Sequence, residues 1–181
     1  MADYNVEIKA RCTNPDEIRQ ILSMANADFR GKDRQIDSYF NVQNGRLKIR
    51  EGAIENGLIQ YHREDVDEPK QSNYMVYKSS NNKLLKELLT KALGLLTVVD
   101  KEREIYYIDN VKFHIDTVKG LGDFIEIEAN GTHNDDDDND ESKDTIRNQC
   151  KYYLKMLRIS NQDLIPFSYS DMMLKQVKAI A

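Results

Sequence analysis

Hydrophobic and polar residues alternate strictly near the start of the chain. In residues 4–11, apolar side chains at every second position share one face and polar or charged side chains share the other. This period of two predicts a β-strand. Strand-like segments recur along the chain, at residues 35–41, 46–50, 58–64, 72–79, 98–106, 111–118 and 123–129. Glycine, asparagine or proline separates several of them, as is typical of turns.

Three segments have helical periodicity instead. Residues 14–17, Asn-Pro-Asp-Glu, combine a capping side chain, a proline in the first turn and a glutamate three residues after the cap, which predicts a helix start. A leucine-rich stripe predicts a second helix that ends at Gly94, and apolar residues within 146–157 predict a third. Because strands and helices do not alternate regularly, an α/β fold is not expected. We predict a mainly antiparallel α+β protein whose sheet closes on itself.

Charged side chains share one face of most predicted strands. Side chains two positions apart point to the same side of a strand. Five strands carry ionisable pairs at this spacing: Glu7 and Lys9, Lys48 and Arg50, Lys101 and Arg103, His114 and Asp116, and Glu126 and Glu128. Arg63 lies on a sixth strand. The basic members are concentrated on the middle strands and the acidic members on the last two.

Two arrangements explain these charged faces. In the first, the apolar face packs in a core and the charges face water. In the second, a closed barrel has a polar lumen, and helices cover its apolar outer face. Asp116, Glu126 and Glu128 flank the glycine turn at 120–122, and neighbouring carboxylates need a cation nearby to stay ionised together. This grouping favours the second arrangement, but alternation alone does not tell which face is inside.

A basic lumen would have a definite chemistry. About six lysines and arginines would match the negative charge of a triphosphate. Guanidinium groups bind phosphate oxygens in pairs, and lysines act as point charges. Carboxylate oxygens are suitable ligands for Mg²⁺ or Mn²⁺, which also bridge phosphate oxygens.

Composition narrows the class of protein. The 181 residues are 40% hydrophobic and 31% charged, as expected of a globular chain with one domain. Six acidic residues fall within 135–141, and without them the net charge changes from −5 to +1. We therefore expect residues 133–141 to form an acidic, disordered loop on a nearly neutral body.

Several classes of protein are not expected. No segment approaches the roughly 18 apolar residues of a membrane helix, and no signal-peptide pattern opens the chain. Two distant cysteines, Cys12 and Cys150, indicate reduced thiols and no disulfide scaffold or zinc site. We expect a cytoplasmic protein without membrane attachment. Nucleic acid is not an expected partner, because no basic stripe with interleaved aromatic residues is present.

A series of motifs, in order along nearly the whole chain, resembles the CYTH family of class IV adenylyl cyclases, thiamine triphosphatases and tripolyphosphatases. The family's E-x-E-x-K strand corresponds to Asn5-Val6-Glu7-Ile8-Lys9, in which Asn5 replaces the first glutamate. The resemblance continues through residues 35–40, 45–51, 57–63, 69–74, 101–103, 114–116, 120–128 and 163–171. The Pro-Lys-x-Ser-x-Tyr segment at 69–74 is most similar to the adenylyl-cyclase-like branch.

The resemblance implies one CYTH-like domain over residues 1–181, built as a closed eight-stranded barrel with a charged lumen, the triphosphate tunnel. It implies that phosphate is bound by Lys9, Lys48, Arg50, Arg63, Lys101 and Arg103, with Lys70 and Lys78 as further candidates. Among these, Lys9, Arg50, Arg63 and Arg103 would form the catalytic set. Mg²⁺ or Mn²⁺ would be held by Glu7, Asp116, Glu126 and Glu128, with Asn5 as an additional ligand.

The function expected first is metal-dependent hydrolysis of a triphosphate such as tripolyphosphate, thiamine triphosphate or ATP, by a monomer or homodimer. Basic groups and metal would stabilise charge on the cleaved phosphates. A class IV adenylyl cyclase, in which the ribose 3′-hydroxyl of ATP attacks the α-phosphorus, is the alternative. A third interpretation is a catalytically weak polyphosphate- or nucleotide-binding module, because Asn5 brings no negative charge to the metal.

His62 and His114 are candidate proton carriers.

Overall fold

Eight strands form the framework of the protein. The computed structural model describes residues 3–63, 66, 68–131 and 140–180. Every pairing between neighbouring strands is antiparallel, in the order β1-β5-β4-β3-β2-β6-β7-β8, and β8 pairs back with β1. The strands are β1 (Asp3–Arg11), β2 (Asp28–Phe40), β3 (Arg46–Glu51), β4 (Gly57–Arg63), β5 (Lys70–Tyr77), β6 (Leu95–Ile108), β7 (Val111–Val118) and β8 (Gly122–Asn130). The predicted closed antiparallel barrel is confirmed.

Helices interrupt and follow the strands. In the described part of the chain they are α1 (Pro15–Met24), α2 (Asn82–Leu93), α3 (Asp140–Met156), a short 3-10 helix (Asn161–Asp163) and α4 (Tyr169–Ile180). The Asn14 side chain accepts a hydrogen bond of 3.3 Å from the Glu17 amide, so α1 begins where the sequence predicts. Gly94 ends α2 with a φ of 78°, which glycine adopts without strain. No helix among these has the length and apolar content of a membrane-crossing segment.

Two strands are longer than alternation predicts. β2 begins at Asp28 instead of residue 35, and β6 covers Leu95–Ile108 instead of 98–106. The two strands pair with each other over almost their full lengths. Their outer faces carry ion pairs, Lys32 with Glu102 and Arg34 with Asp100, where an amphipathic pattern would show apolar residues. Pairing with a neighbour extends a strand beyond its own pattern.

The apolar core lies outside the barrel wall. The outward faces of β1, β7 and β8 pack against α1 and α3, and the most deeply buried members of this core include Val6, Ile8, Ala10, Leu22, Phe113, Ile115, Ile125, Ile127, Cys150 and Leu157. Burying a large aliphatic or aromatic side chain contributes about 1.5–3 kcal/mol. Because this outer core stabilises the fold, the inward faces are free to carry charge. The second of the two arrangements considered from the sequence is therefore the observed one.

One end of the barrel is filled by α4. The inward side chains of Val99, Val118 and Phe124 form a second apolar cluster there with Tyr39 and Tyr169, and methionines of α4 pack against it. The sequence does not predict α4, because it has no leucine stripe like that of α2. The predicted acidic loop lies outside the described residues except for its last two, with which α3 begins.

Candidate functional site

A cavity of about 470 Å³ occupies the barrel lumen. All eight strands contribute to its wall, and so do residues 55–56 and the start of α4. Among the residues expected from the sequence, the cavity brings together Asn5, Glu7, Lys9, Lys48, Arg50, Arg63, Lys78, Lys101, Arg103, Glu126 and Glu128. Asn56 and Lys78 are exposed, so the cavity reaches solvent at the end opposite α4.

Lys70 lies elsewhere. Its side chain is buried, and its ammonium group donates hydrogen bonds to the backbone carbonyls of Val66 and Pro166, at 3.0 and 2.8 Å. These bonds tie the start of β5 to the segment before α4. Lys70 therefore braces these two segments and is not among the residues that line the cavity, and its role in phosphate binding stays a prediction.

Asp116 lies beneath the cavity instead of in its wall. It is fully buried and accepts hydrogen bonds from Arg103 Nε and Nη2, at 2.7 and 2.5 Å. The Tyr169 hydroxyl donates to the same carboxylate at 2.9 Å, and Lys101 Nζ lies 3.4 Å away. Both carboxylate oxygens are thus occupied by protein donors. This position suits an anchor for Arg103 and Lys101, and it offers no support for the predicted metal ligand.

Three potential metal ligands meet on β7 and β8. His114, Glu126 and Glu128 each offer one ligand atom, and these atoms all lie within 4.8 Å of one another. His114 is fully buried, and within the described part of the chain neither ring nitrogen has a hydrogen-bond partner, although Nδ1 is 3.4 Å from a Glu128 oxygen. Burial, followed by the charge of Arg103, lowers the pKa of His114, which favours the neutral, metal-binding imidazole. This donor set fits a divalent cation.

Two residues of β1 lie beside this cluster. Glu7 is the cross-strand neighbour of Glu128 and forms an ion pair with Arg63. Asn5 is buried, and its amide oxygen has no hydrogen-bond partner among the residues that the structure describes. An unsatisfied buried acceptor is costly unless a ligand fills its coordination. Asn5 Oδ1 is therefore a candidate cation ligand, and the metal-binding role that the resemblance implies for it stays a prediction.

Buried carboxylates hold the basic side chains in place. Asp37 accepts two hydrogen bonds from Arg50 Nε and Nη2, at 2.8 and 2.9 Å, and one of 2.8 Å from Lys48. Although burial alone would raise it, these two cations hold the pKa of Asp37 well below its usual range. Lys9 pairs similarly with Glu126 at 2.8 Å. The lumen is thus a network of compensated charges with fixed geometry.

Comparisons with known proteins agree with this architecture. The family model of the CYTH domain matches residues 3–165. The chain belongs to the CYTH domain family. A Methanocaldococcus jannaschii protein named "Putative adenylate cyclase" is 27% identical over 175 residues, which cover 92% of this chain and 97% of that protein.

Solved structures resemble this CYTH protein over most of its length. One from Pyrococcus horikoshii has a TM-score of 0.74 and 25% identity, covering 92% of this chain and 98% of that one. A Hippeastrum protein, described as a "putative adenylyl cyclase" with a dominant triphosphatase activity, has a TM-score of 0.59 and 13% identity. That alignment covers 97% of this chain and 96% of the Hippeastrum chain. At 13% identity, this second likeness shows the fold alone.

One lysine of the CYTH lumen titrates near neutral pH. Burial and the adjacent Arg103 lower the pKa of Lys101 to about 7, against the opposing effect of Asp116. The Lys101 ammonium also lies 5.2 Å from the centre of the Tyr169 ring. Its charge state is therefore open to change by a bound anion, which would favour the protonated form.

The hydrogen-bonded and ion-paired network of the lumen also uses residues outside the predicted set, among them Asp37, Glu55, Lys112 and Tyr169. Lys112 shares the inward face of β7 with His114, so alternation contained the signal needed to find it. Asp37 likewise lies two positions before Tyr39 and so shares the inward face of β2 with it, which makes Asp37 predictable by the same alternation. Glu55 belongs to a loop and Tyr169 to the start of a helix. In neither place does a repeating pattern of residues indicate which side chains point into the lumen.

Proposed function

We propose that this CYTH protein hydrolyses a triphosphate in the barrel lumen, in a reaction that depends on Mg²⁺ or Mn²⁺. The observation that carries the proposal is one cavity that contains both anchored basic side chains and the cluster of His114, Glu126 and Glu128. Membership of the CYTH family supports it independently. The combination matters, because basic side chains or a cluster of carboxylates by themselves also occur in purely structural charge networks.

The basic residues of the wall would bind the phosphate chain. In this proposal they are Lys9, Lys48, Arg50, Arg63, Lys101 and Arg103, with Lys78 at the exposed end. Arg50 and Arg103 are each fixed by an aspartate through Nε and Nη2, which leaves Nη1 directed into the lumen. Such preorganised donors stabilise charge on phosphate oxygens without reorganising during the reaction.

Glu126, Glu128 and His114 would hold the metal ion, with Glu7 and Asn5 close to it. The bound ion would supply charge stabilisation for the cleaved phosphate oxygens and would help position a nucleophile. Asn5 contributes a neutral oxygen, so we expect weaker metal binding than a carboxylate at this position would give. Asp116 would act through the arginine that it anchors.

A product assay tests the proposal. The protein is incubated with Mg²⁺ or Mn²⁺ and, in separate reactions, tripolyphosphate, thiamine triphosphate or ATP. Release of inorganic phosphate from at least one of them is the expected result. An Arg34→Ala variant is the matched control, since Arg34 pairs with Asp100 on the outer surface and its loss should leave the rate unchanged. If all three substrates stay intact with either metal, the hydrolase is excluded.

A class IV adenylyl cyclase is the second candidate, favoured by the similarity to the Methanocaldococcus protein named "Putative adenylate cyclase". Cyclic AMP and pyrophosphate formed from ATP would identify it. Binding of a triphosphate without any product would identify the third candidate, a binding module whose metal site is weakened by Asn5.

A further inference from the structure

A glutamate enters the lumen from the loop between β3 and β4. Glu55 lies at the end of the barrel opposite α4, and its carboxylate accepts a hydrogen bond of 2.8 Å from Arg50 Nη1. Lys112 forms an ion pair with it, and Arg103 Nη1 lies 4.0 Å away. A single carboxylate thus lies among three cations on three different strands.

Both arginines are oriented toward this carboxylate. Asp37 accepts hydrogen bonds from Nε and Nη2 of Arg50, and Asp116 accepts hydrogen bonds from the same two atoms of Arg103. The remaining Nη1 atom of each guanidinium group faces Glu55. Guanidinium N–H groups arranged in this way bind carboxylate and phosphate oxygens with the same geometry. Glu55 therefore occupies a preformed anion subsite.

The loop is built to place Glu55 there. Asp33, which is buried, accepts hydrogen bonds from the backbone amides of Ala53 and Glu55, at 2.7 and 3.0 Å. Gln35 Nε2 donates to both Asp33 and Glu55, at 3.0 Å each. A Cβ at Gly52 would lie 2.5 Å from the Glu55 carbonyl and 2.6 Å from Asp33, so only glycine permits this close packing.

We propose that Glu55 is an internal competitor for the anion subsite of Arg50, Arg103 and Lys112, and that a bound triphosphate displaces it. This assignment rests on the proposed function of the lumen. The three cations are buried or half-buried. Asp37 and Asp116 bind only Nε and Nη2 of the two arginines, so the Nη1 atoms and Lys112 still favour a further anion, because uncompensated charge is costly away from water. Glu55 supplies that anion in the absence of substrate.

Displacement raises the number of contacts that an anion needs in order to bind in the tunnel. Inorganic phosphate, once it has displaced Glu55, would contact only the three cations of the subsite. Tripolyphosphate gains further contacts with basic residues elsewhere on the wall, such as Lys9 and Lys48, and these contacts offset the loss of the Glu55 ion pairs. Glu55 thus keeps out anions such as monophosphate, which make too few other contacts to offset the loss of its ion pairs.

Glu55→Gln tests the assignment, because glutamine keeps the shape and an acceptor for Gln35 but removes the charge. Affinities for tripolyphosphate and for inorganic phosphate are measured by calorimetry at constant ionic strength, with metal chelated so that nothing is hydrolysed. We expect tripolyphosphate and inorganic phosphate each to bind about tenfold more tightly to the variant, because both must displace the same carboxylate.

Glu51→Gln is the matched control. It removes an equal charge from the end of β3, but Glu51 binds Lys86 at 2.6 Å and does not line the cavity. Both affinities should stay within about twofold of wild type, because charges at the surface are screened. If Glu55→Gln is too unstable to purify, Glu55→Asp replaces it, since the shorter carboxylate reaches the cations less well and should also favour inorganic phosphate binding.

The outcomes separate the two proposals. If wild type binds tripolyphosphate and the folded Glu55 variant binds both anions no more tightly, Glu55 is not a competitor, while the proposed function stands. Weaker binding by the variant would instead make Glu55 a part of the binding machinery and would overturn its assignment as a competitor. If neither protein binds tripolyphosphate without metal, the competitor role fails, and the proposed function fails with it only if wild type also releases no phosphate with Mg²⁺ or Mn²⁺.

Discussion

Arg50 and Arg103 have equivalent surroundings on β3 and β6. Each donates two hydrogen bonds to a buried aspartate, and each presents its last nitrogen to the lumen. Removing either arginine would leave a buried aspartate without its main partner, which typically destabilises a protein by about 3–5 kcal/mol. A mutation that tests phosphate binding should therefore remove a basic residue whose carboxylate partner is also paired with a second basic residue.

Lys48 meets that requirement, because Asp37 retains Arg50 when Lys48 is removed. We expect Lys48→Ala to weaken tripolyphosphate binding by about 1.5–3 kcal/mol, the usual contribution of a hydrogen bond to a charged group. The melting temperature should change little. Calorimetric titration measures the affinity, and Lys86→Ala, outside the cavity, serves as the control. Equal affinity in wild type and Lys48→Ala would place the phosphates elsewhere.

Lys101 makes binding sensitive to pH. Its folded-state pKa of about 7 lies below its usual value, so it carries its full charge only below pH 7 and loses it as the pH rises. Tripolyphosphate affinity should therefore fall between about pH 6 and pH 8. Arginine stays protonated throughout this range, so Lys101→Arg should flatten the profile. Parallel profiles for the two proteins would show that another group causes the dependence.

A substitution at Asn5, on β1, tests whether this residue contributes to metal binding. An Asn5→Glu variant adds a carboxylate next to Glu7, so we expect tighter Mn²⁺ or Mg²⁺ binding and faster turnover at limiting metal. Without metal the variant should be less stable, because the new charge repels its neighbours in a buried site. Bound metal should restore that stability by mass action. Melting temperatures with and without metal, alongside rates at several metal concentrations, provide the measurement.

At the scale of elements, inward and outward residues were predictable where alternation was regular. β1, β7 and β8 have this pattern, and their inward residues carry most of the candidate metal ligands. The first half of β2 has no such pattern, because its outer face is covered with ion pairs and its structure depends on β6. Which face lies inside depends on where α1 and α3 pack, and the strand pattern contains no information on that.

The residues missed by sequence reasoning come from connections. Glu55 reaches the lumen because Asp33 and Gln35, about twenty positions earlier, fix its loop. Tyr169 does so because α4 closes the barrel end. Lys70 and Asp116 follow the alternation but are drawn away from the cavity by backbone carbonyls and by Arg103, respectively. Periodicity predicts the side of a strand and not the partners met there.

The contribution of α4 can be measured through Tyr169. Its hydroxyl donates a hydrogen bond of 2.9 Å to Asp116. Tyr169→Phe should lower the free energy of unfolding by about 1.5–3 kcal/mol, because a buried carboxylate loses a donor. Urea denaturation gives this value, and Tyr152→Phe is the control, since Tyr152 is 62% exposed. Equal stabilities of the two variants would mean that Asp116 does not depend on α4.

For the whole molecule, stability and chemistry occupy opposite sides of one barrel wall. The outer core supplies the hydrophobic stabilisation, while the inner wall holds cations and carboxylates that compensate one another. In such a network Asp37, Asp116, Glu55 and Glu126 each face basic side chains, and an internal partner can be exchanged for an external anion or cation. That capacity for exchange is what a metal-dependent triphosphatase requires.

The most direct test of this account is the rate of phosphate release from tripolyphosphate, measured against Mn²⁺ or Mg²⁺ concentration for wild type and Glu128→Gln. Glutamine preserves the shape of the side chain but removes a metal-binding charge, so we expect the rate at limiting metal to fall about 100-fold or more. Unchanged melting of the metal-free variant serves as the control for folding. Wild-type hydrolysis that Glu128→Gln leaves undiminished at every metal concentration would contradict a metal-dependent reaction in the lumen.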